Sequence, residues 1–125
     1  MILNKFLKKF KTIRQINFTL KKEKILVFDG VSIRDLNYVL KDYNYFVLED
    51  RSNRVSEIFF TPTLFINFIY YFYLIFKNYS LKNIYNIALI KAINPKIVIT
   101  SIDNSISFYL VAKVLHKKIF FLAIQ

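Results

Sequence analysis

A polar tetrad follows a short apolar segment in the last quarter of the chain. Ser101, Asp103, Asn104 and Ser105 come after the apolar run at residues 97–99 and precede a second apolar pattern. A carboxylate beside the start of a helix stays ionised and accepts hydrogen bonds, so Asp103 can serve as a general base or bind a substrate hydroxyl. Asn104 offers both a donor and an acceptor, which suits a sugar hydroxyl. The tetrad therefore indicates the rim of a ligand crevice.

The same residues also have a purely structural interpretation. Asp103 or Ser105 can cap the helix that the following apolar pattern predicts, since both side chains accept hydrogen bonds from the first helical N–H groups. Asn104 is an ordinary residue in a turn between a strand and a helix. Capping and ligand binding do not exclude each other, so both interpretations stay open.

Two further polar clusters follow apolar runs in the first half of the chain. Asp29 and Gly30 come after residues 25–28, and the charged residues 49–51 come after residues 45–48. Gly30 either forms a tight turn or lets a phosphate approach the backbone near the next helix. Because the chain has one glycine and no cysteine, it contains no glycine-spaced nucleotide fingerprint and no thiolate chemistry. The spacing of its carboxylates and its single histidine predicts no metal site.

The elements that must position these clusters alternate between strand and helix patterns. Continuous apolar runs favour strands that are covered on both faces, as in a parallel sheet. The predicted strands are residues 25–28, 45–48, 96–100 and 118–125, and the predicted helices begin at a capping box of Ser32 with Asp35, at Ser80 and at residue 105. This order predicts an α/β fold with a Rossmann-like, doubly wound parallel sheet of about four strands. In such sheets ligands bind beyond the carboxyl ends of the strands, where the polar clusters lie.

A basic leader precedes this domain. The formal net charge of the chain is +11, and its first 24 residues carry many of the lysines above an apolar stripe at helical spacing. The pattern predicts a basic amphipathic N-terminal helix at residues 1–23, ahead of a lobe at residues 24–125, and it suits contact of residues 1–24 with an anionic membrane surface. A leader that packs on the domain without a partner is the alternative. No nucleic-acid partner is expected, because no binding motif accompanies the charge.

Residues 58–76 form the most apolar stretch of the chain, and it admits two interpretations. Its length would just allow it to span a bilayer as a helix. Pro62 and Asn67 interrupt it, and it lies between strands that are predicted to share one sheet. These features favour a buried helix or one that leans on a membrane.

Several blocks between residue 24 and the last residue occur in an order that is typical of one bacterial family. The blocks are Asn94-Pro95-Lys96, then Thr100, Ile102, Asp103 and Asn104, then Phe108-Tyr109, and finally Ala123-Ile124-Gln125. In this order they resemble the N-terminal half of proteins labelled surface carbohydrate biosynthesis proteins. Ser101 stands where that family usually has a bulkier residue, and the Asn-Gly that should follow Gln125 is missing.

The resemblance implies the N-terminal, acceptor-side lobe of a two-lobed glycosyltransferase-like enzyme of surface polysaccharide biosynthesis. It implies Asp103 as the catalytic base or acceptor ligand. The implied substrate-binding residues are Asp29, Gly30, Ser101, Asn104 and Gln125. No cofactor is expected on this part, since a nucleotide sugar would bind a C-terminal lobe.

The expected partner is a glycan or lipid-linked acceptor, and the expected location is cytoplasmic and peripheral to the inner membrane. Because the chain stops on a predicted strand, the domain is expected to be truncated and inactive alone. The alternative function is that of a small noncatalytic membrane-associated protein with residues 58–76 inserted in the bilayer.

Overall fold

The computed structural model describes residues 13–51, 55–102 and 105–124. The strands in these ranges are β1 (Gln15–Asn17), β2 (Ile25–Phe28), β3 (Phe46–Leu48), β4 (Glu57–Phe59), β5 (Ile97–Thr100) and β6 (Phe120–Ala123). The helices are α1 (Ser32–Leu40), α2 (Pro62–Tyr71), α3 (Leu81–Ile93) and α4 (Ile106–Leu115), and a 3-10 helix at Phe72–Lys77 continues α2. Most of the predicted leader helix falls on residues 1–12, which lie outside the described residues, and its later part contains β1 instead.

The predicted parallel sheet is confirmed. It has four strands in the order β3-β2-β5-β6, and every neighbouring pair is parallel. The chain steps from β2 through α1 to β3 on one side, and from β5 through α4 to β6 on the other. The carboxyl ends of β2 and β5 therefore flank the point where the winding direction reverses, which is where such sheets bind ligands.

Helices cover both faces of this sheet. Leu26 and Phe28 of β2 pack in the larger core cluster with α3 and α4, whereas Val27 packs with α1. All three side chains are fully buried, which explains why β2 is a continuous apolar run. The ring of Phe28 meets that of Phe108 edge to face with centroids 5.5 Å apart. The α/β class is thus established, and the architecture is compatible with a Rossmann-like fold.

Helix α3 begins and ends at the residues that the sequence predicts. The Ser80 hydroxyl accepts a hydrogen bond from the Asn83 N–H, and Asn94 adopts the left-handed conformation that closes the helix ahead of Pro95. Most of α3 is buried, since it packs between α2 and α4. The Ser105 hydroxyl likewise caps α4 by accepting from the Phe108 N–H at 3.2 Å.

The predicted capping box at the start of α1 is wrong. Val31 is the N-cap residue and makes no side-chain cap. Ser32 is fully buried, and its hydroxyl turns away from the helix to contact the Phe28 carbonyl and the Thr100 hydroxyl. Asp35 accepts a hydrogen bond from Ser101 instead of from the start of its own helix. Both side chains join α1 to the sheet, which a local pattern does not report.

Residues 58–76 are divided among three elements. They include most of β4, all of α2 and most of the 3-10 helix, which ends at left-handed Asn78. Strand β4 pairs in parallel with β1 in a separate two-stranded sheet that the sequence patterns do not predict. None of the helices in the described ranges combines the length and apolar character needed to cross a bilayer.

Candidate functional site

The carboxyl end of β2 turns sharply at Asp29. This residue has a φ of 74°, the left-handed region that Asp tolerates better than most non-glycine residues. Its carboxylate accepts from the Val31 N–H at 3.2 Å through Oδ1 and pairs with Arg51 Nε at 3.2 Å through Oδ2. Asp29 is buried, so these two contacts compensate both its burial and its backbone strain.

The backbone of Gly30 lies against a neighbouring carboxylate, and its own φ does not call for a glycine. The φ of Gly30 is not positive, so the left-handed residue of this turn is Asp29. The Gly30 N–H donates to Glu49 Oε2 at 3.3 Å, and a Cβ at position 30 would lie 1.8 Å from Glu49 Oε1. The glycine thus lets a carboxylate of the chain itself approach the backbone at the point where the sequence suggested a phosphate.

Three hydroxyl side chains connect the carboxyl end of β5 to α1. The Ser32 and Thr100 hydroxyl oxygens lie 3.2 Å apart, and the Ser101 N–H donates to Ser32 Oγ at 2.9 Å. At the surface the Ser101 hydroxyl donates to Asp35 Oδ2 at 3.0 Å. These bonds span almost seventy residues and hold the ends of β2 and β5 in register.

The structure brings part of the predicted site to one edge of the sheet. Asp29 and Ser101 follow neighbouring strands directly, with Gly30 one residue further, so all three lie at the carboxyl edge. Asp103, Asn104 and Gln125 lie outside the described residues. Their roles stay predictions.

A cavity of about 360 Å³ opens beside strand β3, and sequence patterns alone do not reveal it. Its polar lining includes Glu49, Glu57, Tyr85 and Asn86, among apolar residues of β3, β4 and α3. Glu49 belongs to both the cavity and the Gly30 turn, so the cavity adjoins the carboxyl edge. The spacing of two asparagines, residues 83 and 86, within a buried helix was the available indication of a polar surface on α3.

Tyr85 is the most perturbed titratable group of this cavity. Burial raises the pKa of its hydroxyl to about 12, a hydrogen bond from the Phe59 backbone acts in the opposite direction, and the charge of Glu57 adds to the increase. The Phe59 N–H donates to the Tyr85 oxygen at 2.9 Å, which ties β4 to α3. Tyr85 is therefore a neutral hydroxyl at the cavity wall under ordinary conditions.

Asp50 contacts two residues of α3, one of which, Asn86, lines the cavity. Its carboxylate accepts from Asn86 Nδ2 at 2.9 Å and pairs with Lys82 Nζ at 3.3 Å, while Lys82 also donates to the Asp50 carbonyl at 2.7 Å. These contacts engage Asp50 with α3, so we assign it a structural role. In the ranges that the structure describes, no three His, Cys, Asp or Glu side chains are grouped so as to hold a metal ion.

No family model matches the chain, and neither does any curated protein or solved structure. The resemblance to surface carbohydrate biosynthesis proteins consequently rests only on the sequence blocks between Asn94 and Gln125. Any function must be inferred from the geometry of the carboxyl edge and from the surfaces around it.

Proposed function

We propose that this chain is the acceptor-side lobe of a glycosyltransferase-like enzyme of surface polysaccharide biosynthesis. In this proposal the carboxyl edge of the sheet binds a hydroxyl-rich glycan or a lipid-linked acceptor. The observation that supports it is the concentration of carboxylates and hydroxyls at the edge where the winding reverses. These groups are Asp29, Asp35, Glu49, Ser32, Thr100 and Ser101.

The exposed part of this edge is the part suited to a ligand. The Ser101 hydroxyl and the Asp35 carboxylate lie at the surface, so a sugar hydroxyl can replace their mutual hydrogen bond without burying an unpaired group. Asp103 and Asn104 follow Ser101 within three residues and are the proposed base and positioning residue. In this proposal Gly30 and Asp29 contribute the opposite wall of the acceptor site, and Gln125 contributes a third wall. The nucleotide sugar would bind a second lobe, so the 125 residues alone should turn over no nucleotide sugar.

A ligand-binding experiment on the whole chain tests this function. Saturation-transfer NMR with glucose, galactose and N-acetylglucosamine should show contact with the protein, and D103N and S101A should each weaken the best ligand about tenfold or more, the loss of a charged or neutral hydrogen bond. The matched control is D42N, because Asp42 is an exposed carboxylate just after α1 and lies toward the other edge of the sheet. The proposal would be rejected if no sugar received saturation from the protein. It would also be rejected if D103N and D42N lost equal affinity for the sugar.

The alternative of a noncatalytic membrane protein has one supporting observation, the exposure of many apolar side chains in residues 60–76. Alkaline carbonate distinguishes the two functions. It should release an enzyme lobe that lies peripherally on the inner membrane, and it should leave a chain with residues 58–76 inserted in the bilayer. Retention after carbonate would favour the alternative.

A further inference from the structure

One side of α2 and of the 3-10 helix is apolar and exposed. Helix α2 buries only Leu64 completely, and its Asn67 side chain donates to the Ala88 carbonyl of α3 at 3.4 Å. We call the exposed side the aromatic face, and it comprises Phe65, Ile66, Ile69, Tyr70, Phe72, Tyr73 and Phe76. Tyr70 is 69% exposed and Phe76 is 86% exposed. So much contiguous apolar surface is typical of a contact site.

Five lysines lie at the amino edge of the sheet. Lys24 and Lys96 precede the neighbouring strands β2 and β5, and the Lys96 N–H donates to the Lys24 carbonyl at 2.8 Å. Lys91 lies in the last turn of α3, and Lys117 and Lys118 follow α4 directly. We call these five lysines the basic edge. None of them has a carboxylate partner within the described part of the chain.

A groove joins the aromatic face to the basic edge. It has a volume of about 440 Å³, and its lining includes Tyr70 and Tyr71 together with Lys91, Lys117 and Lys118. The sequence contains no Asp or Glu between Glu57 and Asp103 and none after Asp103. The apolar and the cationic groups therefore belong to one surface that few carboxylates approach.

We propose that the aromatic face and the basic edge form one docking surface for an anionic lipid bilayer, with α2 lying in the plane of the membrane. Tyr and Phe side chains suit the boundary between headgroups and acyl chains, where an aromatic ring is half-solvated. Lysines beside that boundary can reach lipid phosphates with their ammonium groups, while their methylene groups pack on the apolar surface of the protein. The charge complementarity selects the occupant, because a second copy of this chain would bring another basic edge against the first.

This docking surface is independent of the proposed glycosyltransferase function, because it includes none of the residues proposed to bind the acceptor. It also differs from membrane contact by the leader, because all its residues except Lys24 follow residue 60.

A tryptophan reporter tests the aromatic face. The chain has no tryptophan, so a single substitution supplies the entire indole emission. Y70W should shift to the blue on addition of vesicles of phosphatidylglycerol and phosphatidylcholine, and brominated lipid should quench it. Y38W is the matched control, because Tyr38 is 84% exposed on α1, on the opposite face of the sheet. An unshifted Y70W, equal shifts in both variants, or a shift that appears on concentrating Y70W without vesicles would overturn the proposal, the last by indicating self-association.

A charge-matched pair tests the basic edge. Flotation of K117Q/K118Q with the same anionic vesicles should show a partition coefficient about 30-fold lower than that of the parent chain. The reason is that each lysine near such a surface adds a roughly constant amount to the free energy of binding. R34Q/K41Q removes the same charge from α1 and should lower it by less than about threefold. Both variants retain residues 1–24, so equal losses would assign binding to net charge or to the leader and would overturn the proposal. Circular dichroism must show that both variants are folded.

Discussion

The carboxyl edge and the amino edge of the four-stranded sheet carry opposite charge. They differ in whether their charged side chains are paired within the chain. At the carboxyl edge Asp29 pairs with Arg51, and Asp35 accepts from Ser101. At the amino edge the five lysines have no carboxylate partner in the described ranges. Helix N-termini point to the carboxyl edge and helix C-termini to the amino edge, and the helix dipoles favour anions at the first and cations at the second. The topology therefore places acidic groups at the carboxyl edge and lysines at the amino edge. The acidic groups are engaged within the chain, whereas the lysines can bind a partner.

The largest expected effect comes from the core beneath the carboxyl edge. F28A should lower the free energy of unfolding by about 3–5 kcal/mol, since a large fully buried ring is removed from a packed cluster. F76A, on the aromatic face, should change it by less than about 0.5 kcal/mol. Urea unfolding of both variants measures the difference. A comparable loss in F76A would mean that the aromatic face is covered within the folded chain.

The second effect is a loss of stability in alkali at the cavity. Because the pKa of Tyr85 rises to about 12 in the folded protein from the ordinary value of 10.0, the folded state holds this proton more tightly than the unfolded state. The Tyr85 proton therefore contributes fully to the free energy of unfolding below pH 10. This contribution falls as pH rises toward 12 and amounts to roughly 3 kcal/mol in all.

The control for this pH dependence is Y85F, which removes the titrating hydroxyl. Unfolding curves at pH 9 and pH 12 should show a steeper loss in the parent chain than in Y85F. Y38F, which changes an exposed ring, should behave like the parent chain. Parallel losses in the parent and in Y85F would show that Tyr85 is not responsible.

A smaller effect compares a paired charge with an unpaired one. R51Q should cost about 1–2 kcal/mol, because it leaves the buried Asp29 carboxylate without its cation while the exposed part of Arg51 limits the loss. K117Q removes a lysine that has no such partner and should stay within about 0.5 kcal/mol. Thermal melts at low salt compare the two. Equal costs would remove the distinction between the edges.

The smallest effect concerns Gly30. G30A should change stability by less than about 1 kcal/mol, because its backbone is unstrained and its Cβ would displace only the flexible end of Glu49. Carboxylate NMR shifts should nevertheless move for Glu49. A loss of several kcal/mol would mean that the Glu49 contact is rigid.

Much of the fold follows from local pattern. The continuous apolar runs predicted β2, β3, β5 and β6, and Ser80 predicted the start of α3. The rule that parallel strands gather their carboxyl ends then placed Asp29 and Ser101 at one edge. Strand β1 was not predicted, because Gln15–Asn17 is a short polar segment whose pairing with β4 depends on residues forty positions away.

The candidate site is less predictable than the fold. The sequence marked Asp29, Gly30 and Ser101, yet not that Arg51 would pair with Asp29 or that Glu49 would occupy the Gly30 N–H. Tyr85 and Asn86 read as parts of a buried helix, because the spacing of Asn83 and Asn86 indicates a polar side of α3 but does not indicate the cavity between α3 and β3.

By itself the sequence determined the strands and helices of the four-stranded layer apart from α2, the distribution of acids and lysines along the chain, and the presence of a long apolar stretch. The tertiary structure alone decided which charges are paired, where Ser32 and Asp35 direct their side chains, and that the apolar stretch lies beside the basic edge. The physical reason is range: helix and strand patterns depend on neighbours within a few residues, whereas the contacts of both edges join residues that parallel crossovers bring together from distant positions.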